Sequence, residues 1–362
     1  MAFGLYLHIP YCLAKCRYCD FYSRGGSHGV PDEYVDALIR RIGSFKACGQ
    51  LPEHPDTVYF GGGTPSLLTP EQVKRILSAA NPSAQAEVTL EANPETVTEQ
   101  TLYEFLQAGV NRLSLGVQTA RDDSLLRLGR PHTAAQSREA FAAARRVGFN
   151  NISGDIMLAL PQYTNGEFDE TLDLIASGGA THISAYLLKI EPGTAFYQNP
   201  PQGLPDEDAA ADFYLYAVDQ LHSAGFKQYE ISNFAKPGFE GKHNLLYWNC
   251  NNYLGIGPAA HSCVNNRRFY WPGDTRAFLQ PDCQSIADGD CTVEDYLVLQ
   301  LRLTSGLHLD ELKAKYNVEF TPRQFKFLKQ CVDAGYATLD NNVLALTPSG
   351  LIIQNSILCE LI

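Results

Sequence analysis

The sequence predicts an α/β fold: a parallel sheet covered by helices, followed by a small α+β module. Two observations carry this expectation, an alternation of strand-like and helix-like patterns and a change of pattern beyond residue 228. Apolar runs suited to strands occur at 4–8, 57–60, 87–91, 112–116, 152–157 and 183–187. Helical patterns fill the gaps at 32–46, 70–80, 98–108, 134–147, 168–177 and 206–224, with Gly109, Gly148 and Gly225 behind three of them as C-caps. Strand–helix units with apolar strands imply a parallel sheet buried between helices. Such an array forms a doubly wound sheet or curves into a barrel. Polar residues at the C-terminal ends of successive strands favour the curved form, because a barrel gathers its chemistry on that face.

From about 228 to 290 the pattern becomes short strands, turns and aromatics. After Thr292 the order reads helix 309–316, helix 322–334, strand 336–339, turn Asn341-Asn342 and strand 343–346, which resembles a winged helix. Acidic residues outnumber basic ones in this stretch, so a lid or docking role suits it better than DNA binding.

The chain has 362 residues, 45% of them hydrophobic, enough for one large domain and a smaller one. A formal charge of −12 argues against non-specific nucleic-acid binding. No apolar run approaches the roughly 18 residues of a membrane span, and the first strand begins almost at the N-terminus, where no signal peptide is expected. The expected compartment is the reducing cytoplasm. Cys48, Cys250, Cys263, Cys283, Cys291, Cys331 and Cys359 are scattered without pair spacing, and read as small buried residues rather than disulfide partners.

The chemistry concentrates at Cys12, Cys16 and Cys19, a C-x3-C-x2-C array directly after the first strand. Iron–sulfur clusters are held by thiolates, and a four-iron cubane ordinarily takes four. Three leave one iron open to a bidentate ligand, such as the amino and carboxylate groups of a methionine moiety. The competing readings are buried thiols or a zinc knuckle; for zinc, no second C-x2-C pair stands elsewhere in the chain.

These residues resemble the radical S-adenosylmethionine (SAM) superfamily. The wider stretch Leu5-Tyr6-Leu7-His8-Ile9-Pro10-Tyr11-Cys12, with Cys19-Asp20-Phe21-Tyr22-Ser23, is similar to the branch of oxygen-independent coproporphyrinogen III oxidase and the heme chaperone HemW. The resemblance implies a partial (β/α)6, TIM-like barrel, a [4Fe-4S] cluster on the three cysteines, and SAM. It also implies the SAM contacts: Gly62, Gly63 and Thr64 in the Gly61–Pro65 turn, Glu91, Gln118, Arg130 and Asp155, one group per strand–helix unit. A carboxylate at Glu91 could accept ribose hydroxyls, and the Arg130 guanidinium could fork onto the SAM carboxylate. The backbones of Tyr18 and Lys189 would meet adenine. Tyr6 would lie near SAM or a porphyrin, or simply be a half-buried strand aromatic.

Within that branch the oxidases carry a further cysteine where this chain has Phe21, and a long N-terminal extension where it has eleven residues before Cys12. The segment His243-Asn244-Leu245-Leu246-Tyr247-Trp248 is instead similar to the HemW pattern H-N-x-x-Y-W. It offers an imidazole at His243 and two flat faces for a macrocycle, with His261 a second ligand candidate; a histidine bonded in a loop is the plain alternative. The resemblance thus implies a heme-binding chaperone that delivers heme to apo-hemoproteins, visits the membrane transiently, and draws electrons from a donor such as flavodoxin or ferredoxin. Decarboxylation of coproporphyrinogen is the alternative. The expected divisions are 1–225 for the barrel, 226–291 for the H-N-x-x-Y-W extension and 292–362 for the winged-helix-like module.

Overall fold

The computed structural model describes residues 2–362. Six parallel strands form its centre: β1 Phe3–Ile9, β2 Thr57–Gly62, β3 Glu87–Ala92, β4 Arg112–Gln118, β5 Ile152–Leu158 and β6 His182–Leu187. Each is followed by a helix, among them Asp32–Ala47, Pro70–Ala80, Glu99–Ala108, Ala134–Val147, Asn165–Ser177 and Glu207–Ser223. These match the predicted elements to within a few residues. The helix starts are chemically marked. Thr69, Thr98, Thr133, Thr164 and Asp206 each accept a hydrogen bond from a first-turn backbone N–H, a cap that contributes about 1 kcal/mol.

The segment beyond residue 226 extends this sheet at both edges. β7 Lys227–Gln228 and β8 Asn233–Ala235 add antiparallel strands beside β6. The chain then crosses to the other side, where β9 Asn252–Ile256 pairs parallel with β1. β10 His261–Val264, β11 Arg267–Tyr270 and β12 Ile286–Asp290 continue outward as antiparallel strands. The twelve-stranded order is β12-β11-β10-β9-β1-β2-β3-β4-β5-β6-β8-β7, so the outermost strands do not meet and the barrel stays open. One apolar core underlies the whole sheet, with Phe226, Phe234, Leu254 and Trp271 packed together with the parallel strands.

A second core gathers residues 296–361 around Leu301, Leu307, Leu328 and Leu344. Helices Leu309–Tyr316 and Pro322–Asp333 stand where the sequence predicts them. The three-stranded sheet joins β13 Leu307–His308, β14 Ala337–Asp340 and β15 Val343–Leu346, in the order β13-β15-β14. Asn341 and Asn342 turn the hairpin with φ of 49° and 61°, a conformation asparagine tolerates better than most residues.

The glycine turn after β2 positions the cysteine loop. Gly63 N–H donates to Ile9 O at 2.9 Å, and Thr64 N–H donates to Tyr11 O at 2.8 Å. A Cβ at Gly63 would stand 2.8 Å from both of those carbonyl oxygens and 2.9 Å from Tyr11 N. Backbone cannot yield as a flexible side chain can. Gly63→Ala should therefore lower stability by about 2 kcal/mol, and disproportionately lower the iron retained after reconstitution. Urea midpoints read beside iron content per chain check this.

Candidate cluster and cofactor site

A cleft of 370 Å³ opens at the C-terminal ends of β1–β6. Cys12, Cys16, Cys19, Tyr18, Gly62, Gly63, Thr64, Glu91, Gln118, Arg130, Asp155 and Lys189 all line it. Sequence positions spread over nearly 180 residues therefore meet in one place. The chain following β1 is stitched down by Cys12 N–H to Arg24 O, Arg24 N–H to Pro10 O and Ser27 N–H to Cys12 O, each 2.9 Å. Arg17 joins it to Leu128 O at 3.0 Å, and Cys19 N–H turns back to Cys16 O at 3.3 Å.

Arg130 is the charged centre of the cleft. It donates to Cys16 Sγ at 3.4 Å and to Asn93 Oδ1 at 3.0 Å, and it also bonds Gly116 O. Its buried Nε has no partner, so the guanidinium retains donor capacity, as a carboxylate-binding fork requires. Burial pushes the pKa of the neighbouring Tyr18 phenol upward. Gln118 ends β4 with φ of 67°, a strained backbone for a residue with a Cβ and one that clusters at functional sites.

Two carboxylates stand on the cleft floor. Glu91 Oε1 accepts from Tyr59 OH at 2.9 Å, and its Oε2 accepts from Gly62 N–H at 3.1 Å. Burial nevertheless raises its pKa to about 7, against two hydrogen bonds that favour the carboxylate. Asp155 accepts from Ser114 Oγ at 3.1 Å and is raised too, again chiefly by burial. Lys189 turns its ammonium to Glu191 at 2.6 Å, in solvent, so it faces the cleft without its charge.

Sequence reading missed Tyr59, Asn93, Arg112, Ser114, Ser184 and Tyr186, which also line the cleft. The missed signal was period-two alternation: Tyr59, Ser114, Ser184 and Tyr186 sit within the strands, where inward positions follow directly from the strand boundaries.

His243 lies elsewhere. Helix Lys242–Trp248 packs against β1 and β2, with Glu87 accepting from the N–H groups of Lys242 and His243 at 3.2 and 3.1 Å. The His243 ring is 2% exposed and stacks on Tyr59 at 5.1 Å. Its Nδ1 meets Thr57 Oγ1 at 2.6 Å and its Nε2 meets Tyr247 OH at 2.7 Å. Burial lowers its pKa to about 3, so the ring is neutral. As placed, it has no ring nitrogen left for iron and serves to pin the helix.

Tyr6 leaves the cleft and lines a second cavity, of 560 Å³, with His8, Phe21, Tyr22, Tyr247, Trp248, Tyr253 and His261. His8 Nε2 meets Tyr22 O at 2.7 Å and must donate, so Tyr6 OH donates to His8 Nδ1 at 3.0 Å. Phe21, 63% exposed, borders both cavities. Three cysteines read as scattered meet here: Cys250, Cys263 and Cys291 line the same cavity. Of the others, Cys331 is buried, but Cys48 and Cys359 are exposed, since they end a helix and lie near the chain terminus.

Among the described residues no group of three or more His, Cys, Asp or Glu converges to hold a metal ion. A mononuclear zinc knuckle needs that convergence; a cubane is gripped at its corners and does not. Three thiols on one cleft, with a guanidinium on one sulfur, fit a cluster held by three thiolates.

Fold and cleft define a radical SAM protein, a class that works with a [4Fe-4S] cluster and SAM. Residues 6–175 match the Radical SAM superfamily, and residues 292–353 match the HemN C-terminal domain. Over 97% of both chains the sequence is 34% identical to the heme chaperone HemW of Bacillus subtilis. It is 40% identical to the HemW of Escherichia coli over 72% of this chain and 70% of that one. The mitochondrial radical S-adenosyl methionine domain-containing protein 1 of Bos taurus is 34% identical over 99% of this chain and 87% of its own. Coproporphyrinogen III oxidase (HemN) from Escherichia coli has the same fold, at a TM-score of 0.82 over 99% of this chain and 90% of that one, with 21% identity. The chain belongs to the HemW family of radical SAM proteins.

Glu91 gives a pH test. Its pKa is about 7 folded against 4.5 for the unperturbed acid. Between those values the unfolded chain has lost the proton that the folded chain keeps. Stability must therefore fall as pH rises across that window, by on the order of 3 kcal/mol. Glu91→Gln should flatten this loss, seen as a smaller difference in urea midpoint between about pH 5 and pH 8.

Proposed function

We propose that this chain is a heme chaperone of the HemW type, which binds heme and passes it to apo-hemoproteins. The observation that carries the reading is identity of 34% over 97% of both chains with the Bacillus subtilis heme chaperone. Cys12, Cys16 and Cys19 hold the [4Fe-4S] cluster, and the rest of the first cleft holds SAM. When bound and reduced, the cluster supplies the electron for reductive SAM cleavage.

The chain's own residues bind and orient. Arg130, with its free Nε, clamps the SAM carboxylate. Glu91 and Asp155 accept hydrogen bonds from the ribose hydroxyls, and Gln118 closes the β4 end. Gly62, Gly63 and Thr64 bring backbone against the methionine amino group. The backbones of Tyr18 and Lys189 bracket adenine. The electron donor is a small redox protein such as a flavodoxin or ferredoxin, and the work is done in the cytoplasm with transient visits to the membrane. No helix among the described residues is long and apolar enough to cross a bilayer.

Phe21, where the oxidases are expected to carry a further cysteine, speaks against porphyrinogen decarboxylation. The reconstituted protein is incubated anaerobically with SAM, a reductant and coproporphyrinogen III, and separately loaded with heme and mixed with an apo-hemoprotein. Heme should appear in the acceptor, with no protoporphyrinogen formed. Protoporphyrinogen made with turnover, and no heme transferred, would reverse the assignment. Arg130→Ala should weaken SAM binding by about tenfold or more, since it removes a charge-assisted pair.

A further inference from the structure

Two proline-centred turns meet beside the first cleft. Asn93-Pro94-Glu95 leaves β3, and Arg130-Pro131-His132 follows the helix Asp122–Leu128. They face each other in two matched pairs. Arg130 donates to Asn93 Oδ1 at 3.0 Å, and His132 Nδ1 stands 3.3 Å from Glu95 Oε2, an ion-pair distance. The end of β4 accepts from both members of the second turn: Arg130 bonds Gly116 O, and His132 Nε2 donates to Val117 O at 3.2 Å. Asn93 also donates to Thr64 Oγ1 at 3.2 Å, so the first pair reaches the glycine turn.

The two pairs differ in what they touch. Asn93 and Arg130 line the first cleft, and Glu95 and His132 stand outside its lining. The second pair is also dry, with side chains 0% exposed at His132 and 8% at Glu95. A buried carboxylate is costly unless a counter-group offsets it. Neither carboxylate oxygen of Glu95 finds a hydrogen-bond donor among the described residues. Burial works against its charge, yet His132 and the Arg130 charge hold its pKa below the usual carboxylate range. Two cations therefore attend one acid, and one of them is the residue that must stay free to face the cleft.

We propose that His132 is a positioning residue for SAM binding: as the buried counter-group of Glu95, it keeps the Arg130 guanidinium directed at Cys16 and at the SAM carboxylate. The proposal rests on the SAM reading of the first cleft above. Without the imidazole, Glu95 would remain a buried acceptor two residues from Asn93, to which Arg130 is already bonded. A guanidinium–carboxylate fork is the strongest contact open to that acid. Arg130 would turn to Glu95, releasing the Cys16 sulfur and withdrawing from the SAM carboxylate.

SAM is titrated by calorimetry into the anaerobically reconstituted full-length protein and its His132→Gln, His132→Gln/Glu95→Gln, Arg130→Ala and Glu99→Gln variants. Urea midpoints and iron content serve as folding controls. His132→Gln should weaken SAM binding by about tenfold. Adding Glu95→Gln should return the affinity to within about threefold of the unmodified chain, because the acceptor that competes for Arg130 is then neutral. Glu99→Gln, which breaks an exposed pair with Arg146, should bind SAM as before. EPR of the reduced cluster should follow the same order, the SAM-induced change of shape needing more SAM in His132→Gln than in the double variant. Unchanged affinity in His132→Gln, or a loss of affinity that persists in the double variant, would overturn the positioning role alone. Where His132→Gln does not fold, the double variant, which buries no bare carboxylate, decides: near-normal SAM affinity supports the role and a lasting loss overturns it. Full SAM affinity in Arg130→Ala would overturn the reading of Arg130 on which the proposal rests.

Discussion

Two backbone hydrogen bonds, from Gly63 to Ile9 and from Thr64 to Tyr11, set the geometry on which everything else rests. They fasten the turn after β2 against the chain leaving β1, at the point where Cys12 begins the thiol array. A side chain at Gly63 cannot enter that seam. The consequence is that the cysteine loop and the glycine turn, proposed to hold the cluster and SAM, form one rigid unit, with Arg130 reaching across from the β4 side to bond a thiol. Pre-organisation of this kind lets a charged site stay partly dry without each member paying separately for its orientation.

The second structural theme is an aromatic wall between the cavities. Tyr6 stacks on Tyr59 at 6.1 Å, and Tyr59 stacks on His243 at 5.1 Å. Tyr59 faces the first cleft and Tyr6 the second. The strands β1 and β2 therefore present one lining to the first cleft and another to the second, within the thickness of two rings. Phe21, on the cysteine chain itself, borders both.

Much of this was legible in the sequence. The six strands and their helices follow from apolar runs and threonine caps, which act locally. Gly62, Glu91 and Gln118, proposed for the SAM site, line the first cleft because they stand at or next to strand ends, and strand ends of a parallel sheet share a face. What escaped was non-local. Nothing in 250–291 announces that Cys250, Cys263 and Cys291 meet, because β9 pairs with β1 across more than 240 residues of chain. The role of His243 escaped for a related reason: its partners Thr57 and Glu87 lie on distant strands, so a residue that resembled a free imidazole is a buried, fully bonded one.

The account depends on a three-thiolate cluster whose open iron meets SAM. EPR of the anaerobically reduced, reconstituted protein tests that most directly. A four-iron cluster signal should be present, should change shape when SAM is added, and should vanish when Cys12, Cys16 or Cys19 is replaced by alanine. A signal indifferent to SAM, or a chain that keeps its cluster without one of those cysteines, would contradict it.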